Sequence, residues 1–217
     1  MLITRRAITA ALSLSGLAAL VGRSPLWLIA DASALSAADA ARPQALPDMA
    51  LGSADARVTI VEYAAPTCPH CAAFNSDVFP KIKSEYIDTG KVRYVFREFP
   101  LNIKDLACSM VARRIAQDDS AKYFAVVDVM FQQQDRLVEK TSDTLKLIGR
   151  QAGLSTQAIE DCLKDQAMQD KISAGQKFAE DVLKVEGTPT FFVGSQMIVG
   201  EASFEEFDKR IETLLKS

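Results

Sequence analysis

The stretch "AAPTCPHCAAF", residues 64–74, decides how this chain is read. Cys68 and Cys71 stand three positions apart, with Pro69 and the chain's single histidine, His70, between them. If Cys68 caps a helix, Pro69 falls at the first helical position, where its missing N–H is not needed and its fixed φ suits the helix. A capping side chain accepts from the backbone N–H two or three residues on, so the Cys71 amide would reach the Cys68 sulfur. The positive end of the helix dipole favours a thiolate there, and a protonated His70 would add to it. The i, i+3 spacing puts both sulfurs on one helical face. Each unit by which the Cys68 pKa falls is about 1.36 kcal/mol in favour of the reduced pair, or roughly 30 mV toward an oxidising disulfide.

Three readings of the pair stand open from the residues alone: a metal clip, a permanent disulfide, or a pair that exchanges electrons with other thiols. A structural zinc site takes about four ligands, and the sequence has one CxxC, one histidine and two distant cysteines. Exchange is the reading that uses the helix start.

Outward from the pair, "RVTIVEYAA" (57–65) reads as a β-branched strand. Residues 69–90 read as a helix that opens at the cysteines, carries Pro80 as a possible kink and stops by Gly90. "KVRYVFREFPL" (91–101) reads as a second strand, which makes a βαβ unit with parallel strands. From 104 to 184 the patterns are helical, with Ser142 and Ser155 as candidate N-caps and Gly153 as a stop. "TPTFFVG" (188–194) and "QMIVG" (196–200) then predict a hairpin, followed by a last helix, "SFEEFDKRIETLLKS". The order βαβ, helices, ββα predicts an α/β fold in which one sheet domain, 57–103 and 185–217, is interrupted by an all-helical insertion at 104–184. Met110, Phe124, Met130 and Phe131 are expected in the core of that insertion rather than in a binding groove.

The chain has 217 residues, 48% hydrophobic and 24% charged, with a net charge of −3. That composition supports a globular core and gives no electrostatic reason to expect nucleic-acid binding. Arg5 and Arg6 precede an apolar run from Ala7 to Val21, and "ASA" at 32–34 suits cleavage, so residues 1–34 read as a signal peptide. The "TRR" at 4–6 also fits a twin-arginine signal. Residues 35–56, rich in Ala, Pro and Asp, read as a flexible leader. All four cysteines fall after residue 34, where export would put them in an oxidising compartment. Glu62 shares a strand face with the apolar Val58, Ile60 and Ala64, which predicts a buried carboxyl with a raised pKa, able to pass protons to and from Cys71.

"VEYAAPTCPHC", 61–71, with the "TPT" at 188–190 and the element order, resembles the DsbA-like, thioredoxin-fold thiol:disulfide oxidoreductases of bacterial envelopes. The resemblance covers roughly residues 50–217 and implies a thioredoxin fold with an inserted helical domain. It makes Cys68 the nucleophile and Cys71 the resolving thiol, with Pro69 and His70 between them. Thr188 and Pro189 match the family's cis-proline loop, which pairs with substrate backbone; an ordinary X-Pro bond is trans by default. Glu62 matches a buried acid of the family. Many DsbA oxidases carry an apolar residue where Thr188 stands, and threonine is more familiar from isomerases and reductases. Cys108 and Cys162 look like the second, structural disulfide of some alphaproteobacterial members; two buried free thiols is the competing reading.

The resemblance implies a periplasmic protein disulfide oxidase without a cofactor. Its partners would be reduced or unfolded exported proteins and a DsbB-like, quinone-linked membrane reoxidant, and it would work as a monomer. The runner-up is an isomerase or reductase kept reduced by another partner. A copper- or zinc-handling thiolate-binding protein is the alternative from another class.

Overall fold

The computed structural model describes residues 37–217, so the expected signal peptide at 1–34 lies outside the described residues. Strands β2 (Val58–Ala64) and β3 (Val92–Glu98) pair in parallel at the centre of a five-stranded sheet. Both strands are covered on both faces, and five of the seven residues of each are buried in an unbroken run at the C-terminal end, the charged Glu62, Arg97 and Glu98 among them. The connection runs through α2 (Pro69–Asp77), α3 (Phe79–Ile82) and a π-helical turn at Lys83–Ile87. The single helix expected over 69–90 is therefore three pieces. Val78 caps α2, and Pro80 in the first turn of α3 has no N–H with which to continue the earlier ladder.

Six helices separate β3 from the rest of the sheet: α4 (Ile103–Ala116), α5 (Ser120–Gln132), α6 (Gln134–Glu139), α7 (Thr141–Gln151), α8 (Thr156–Cys162) and α9 (Gln166–Asp181). Ser155 caps α8 by accepting from the Ala158 amide at 3.1 Å. Ser142 caps nothing: α7 already starts at Thr141, with Lys140 at the cap position. Met110, Met130 and Phe131 are buried and Phe124 is partly buried against the same core. The chain then returns to the sheet. β4 (Thr190–Val193) runs antiparallel to β2, and β5 (Gln196–Val199) antiparallel to β4 across the turn at Gly194 and Ser195. Gly194, at φ +60°, takes the left-handed conformation that such a turn needs. Helix α10 (Phe204–Lys216) ends the chain with Phe207 and Ile211 buried.

The segment read as a flexible leader is packed. Residues Ala37–Ala40 form one helical turn, α1, and Met49–Leu51 form β1, antiparallel to the outer side of β3. Two arginines hold it there. Arg97 donates to the carbonyls of Ala40 and Arg42 and pairs with Asp48, while Arg113 donates to the Pro47 carbonyl. A three-residue strand is too short to show alternation in sequence.

The sheet buries one face under α2, α3 and α10, through Ile60, Phe74, Tyr94, Phe191 and Phe207. The other face lies under α9, through Val61, Tyr63, Ala179, Leu183 and Phe192. The ends of β2 and β3 meet the helical block at Ala64, Ala65 and Phe96, and the cysteine pair opens at that junction.

Candidate active site

Cys68 caps α2 with extended backbone (φ −79°, ψ 118°), Pro69 follows in the first turn, and the Cys71 amide donates to the Cys68 sulfur at 3.4 Å. Cys68 is 4% exposed and Cys71 fully enclosed, so only the first sulfur has any access to a partner. The two thiols titrate in opposite directions. The Cys68 pKa is lowered to about 6, chiefly by a hydrogen bond from the Cys71 thiol, with the backbone N–H groups of Cys71 and His70 adding to it against the opposing effect of burial. Burial pushes Cys71 far up, and the neighbouring Glu62 and Cys68 charges push it further. A thiolate next to a buried proton-bearing thiol is the asymmetry that a nucleophile and a resolving group need.

The His70 imidazole is exposed and its Nδ1 lies 2.5 Å from Glu201 Oε1. The Glu201 carboxylate raises the His70 pKa. His70 reaches Cys68 in two ways: the Cys68 charge helps to raise the His70 pKa, so a protonated imidazole favours the thiolate in return, and the His70 backbone bonds the sulfur. Glu201 follows β5, and the Gly200 amide donates to the Pro189 carbonyl at 2.9 Å, so this loop is tied to the Thr188–Pro189 loop. The Thr188–Pro189 bond is cis, and the protonated Cys68 thiol donates to the Thr188 carbonyl at 3.3 Å. The Thr188 hydroxyl is buried and has no hydrogen-bond partner among the described residues.

Beneath the pair, Glu62 is 3% exposed and accepts from the Tyr94 hydroxyl at 2.6 Å. Burial raises its pKa to about 8 despite that hydrogen bond. The loop before Cys68 is held from the helical block. Asp105, fully buried, accepts from the Thr67 and Leu101 amides and from Asn102 Nδ2. The Gln134 amide donates to the carbonyls of Pro66 and Cys68, each at 2.9 Å. Sequence reasoning missed Tyr94, Asp105, Gln134 and Glu201. Of these only Tyr94 had a local signal: it stands opposite Ile60, two residues before Glu62 in the neighbouring strand, a diagonal relation on one sheet face.

Cys108 and Cys162 are free thiols here, as are Cys68 and Cys71, so the chain is described in its fully reduced form. Cys108 is buried in the large cluster around Ala64, Ala65 and Cys71, whereas Cys162 packs with Met110 and Ile172 and donates to the Met110 carbonyl at 3.3 Å. The two sulfurs serve different apolar clusters, and burial raises both pKa values, that of Cys162 to about 11. Among the described residues no group of three or more His, Cys, Asp or Glu side chains is placed to hold a metal ion.

A family model described as Thioredoxin matches residues 44–213. A relative from Rickettsia bellii, provisionally named a protein-disulfide oxidoreductase, is 38% identical over 148 residues, which is 67% of this chain and 56% of the relative. The chain spans a little over half the length of the rickettsial relatives it matches. Disulfide bond formation protein D of Bacillus subtilis is 28% identical over 170 residues, 76% of each chain. The crystal structure of Wolbachia pipientis alpha-DsbA1 matches with a TM-score of 0.73 at 30% identity, over 82% of this chain and 96% of that one. The chain therefore belongs to the thioredoxin family, and within it to the DsbA-like proteins whose α/β fold carries a helical insertion.

Proposed function

We propose that this protein is an exported thiol:disulfide oxidoreductase that works as a dithiol oxidase through Cys68 and Cys71. The opposed pKa shifts of the two thiols carry the reading. With Cys68 at about 6, roughly nine-tenths of it is thiolate at pH 7. Relative to an ordinary thiol near 9, this stabilises the reduced pair by about 1.4 kcal/mol at pH 7, or roughly 30 mV toward an oxidising disulfide.

In the proposed reaction a substrate thiolate attacks Cys68 of the Cys68–Cys71 disulfide. A bond forms between the substrate sulfur and Cys68, the Cys68–Cys71 bond breaks, and Cys71 leaves as a thiolate that takes a proton from Glu62. A second substrate thiolate then attacks the substrate's own sulfur in the mixed disulfide. The substrate leaves oxidised and Cys68 leaves as its stabilised thiolate. Substrate backbone is received along the Thr188–Pro189 loop, which suits partners of many sequences because main-chain pairing reads no side chains. The protein works as a periplasmic monomer on reduced exported proteins and is reoxidised by a quinone-linked membrane protein of the DsbB type. Pro69 and His70 shape the helix start.

The test is oxidation of a reduced two-cysteine peptide by the oxidised protein, run beside recovery of activity from a protein with scrambled disulfides. Stoichiometric peptide oxidation lost in Cys68→Ser, with little unscrambling, supports the oxidase. Fast unscrambling by the reduced protein with poor peptide oxidation overturns it in favour of an isomerase, the direction that Thr188 favours by resemblance.

A further inference from the structure

The hydrogen bond beneath the cysteines joins two side chains with no other reason to be polar. Tyr94 is 1% exposed, its ring is fixed against Phe79 and Phe124 at centroid distances of 4.9 and 6.1 Å, and its hydroxyl donates to Glu62 at 2.6 Å. A phenylalanine would fill the same apolar site, so the hydroxyl is not there for packing. Burying it is unfavourable unless it is bonded, and the bond it makes goes to the carboxyl beside the resolving cysteine. The titratable groups that act on Glu62 or feel its charge are Tyr94 from β3, Cys68 and Cys71 from the start of α2, and Tyr123 from α5, whose own hydroxyl goes to Glu98.

We propose that Tyr94 is a positioning residue for the exchange reaction, its hydroxyl holding the Glu62 carboxyl in the place and charge state from which it trades a proton with Cys71. This rests on the reading of Glu62 as the acid and base of the pair. When Cys71 closes the disulfide, its proton passes to the Glu62 carboxylate, its sulfur bonds to Cys68, and the glutathione or substrate sulfur bound to Cys68 leaves as a thiolate. The closing step therefore needs ionised Glu62. A hydroxyl that donates to a carboxylate favours that form, so Tyr94 brings the step into reach of neutral pH.

The experiment follows the reduced protein with glutathione disulfide by rapid mixing, isolating the phase in which Cys71 resolves the Cys68–glutathione mixed disulfide, across pH 5.5 to 10. In the unaltered protein the rate of this phase rises through about pH 8, where Glu62 ionises. In Tyr94→Phe the rise moves up by about one pH unit, and the rate at pH 7 falls about tenfold. In Glu62→Gln the rise is lost. Replacing tyrosine by 3-fluorotyrosine, a stronger donor of nearly the same size, moves the rise down; Tyr63, Tyr86 and Tyr123 make their hydroxyl bonds elsewhere. If Glu62→Gln abolishes the rise but Tyr94→Phe leaves it in place and fluorotyrosine does not lower it, the role of Tyr94 is wrong. If Glu62→Gln leaves the rise untouched, the acid–base reading of Glu62 fails instead. Should Tyr94→Phe not fold, the fluorotyrosine shift alone decides the matter.

Discussion

At the scale of single residues, the centre of the molecule is a deliberate imbalance. Glu62 is almost wholly enclosed, and burial raises its pKa from 4.5 to about 8. A carboxyl whose folded pKa is raised leaves the fold unburdened below pH 4.5 and weakens it as pH rises toward 8, because the unfolded chain ionises first. Near pH 7 the burden is about 3 kcal/mol. Glu62→Gln is therefore expected to raise stability by about that much at pH 7 and by little at pH 4, read from urea unfolding at both values. A variant that is destabilised at pH 7 would show that the carboxyl is ionised and paired in the native state. A group kept at such an expense beside Cys71 fits proton transfer better than it fits packing.

At the scale of elements, β1 and the segment before it depend on buried charge. Arg113 pairs with Glu98 through two hydrogen bonds at 2.5 and 2.8 Å, Tyr123 completes the carboxylate, and Arg113 also holds the Pro47 carbonyl. Breaking a buried pair from one side strands the other charge, at about 3–5 kcal/mol. Arg113→Ala should lose that much in equilibrium unfolding and speed amide exchange in Met49–Leu51 first; equal exchange across the sheet would place the anchor elsewhere. This is also where sequence reading reached its limit. The strands at 58–64 and 92–98, the hairpin and the Cys68 cap were legible because their signals are local. β1 was not, since three residues carry no period. Nor were Glu201 and Gln134, which reach the site from 131 and 66 positions away along the chain. The surroundings of the second cysteine pair were not legible either: an even cysteine count says nothing of which cluster each sulfur enters.

At the scale of the whole molecule, the low Cys68 pKa ties the fold to its redox state. In the reduced protein Cys68 ionises near 6 when folded and near 9 when unfolded. A depressed folded pKa contributes stability that is complete above the unfolded value and is lost as pH falls through the folded one. The reduced protein should thus gain stability over the oxidised protein between pH 6 and 9, by up to about 4 kcal/mol, while the oxidised form lacks this dependence because its sulfurs do not titrate. Paired urea titrations of the two forms across that range check it; parallel curves would mean that Cys68 is an ordinary thiol. The sheet supplies Glu62, Tyr94 and the Thr188–Pro189 loop, and the helical block supplies Asp105 and Gln134, so both parts of the fold hold the loop that carries Cys68.

The most direct measurement is the equilibrium redox potential of the Cys68–Cys71 pair against glutathione, taken with the Cys68 pKa from thiolate absorbance. An oxidase built on this site, as the account proposes, should show a Cys68 pKa near 6 and a potential less negative than about −270 mV by at least the roughly 30 mV that this shift supplies. A pKa near 9 with a potential close to about −270 mV, where reducing members of that fold lie, would contradict it.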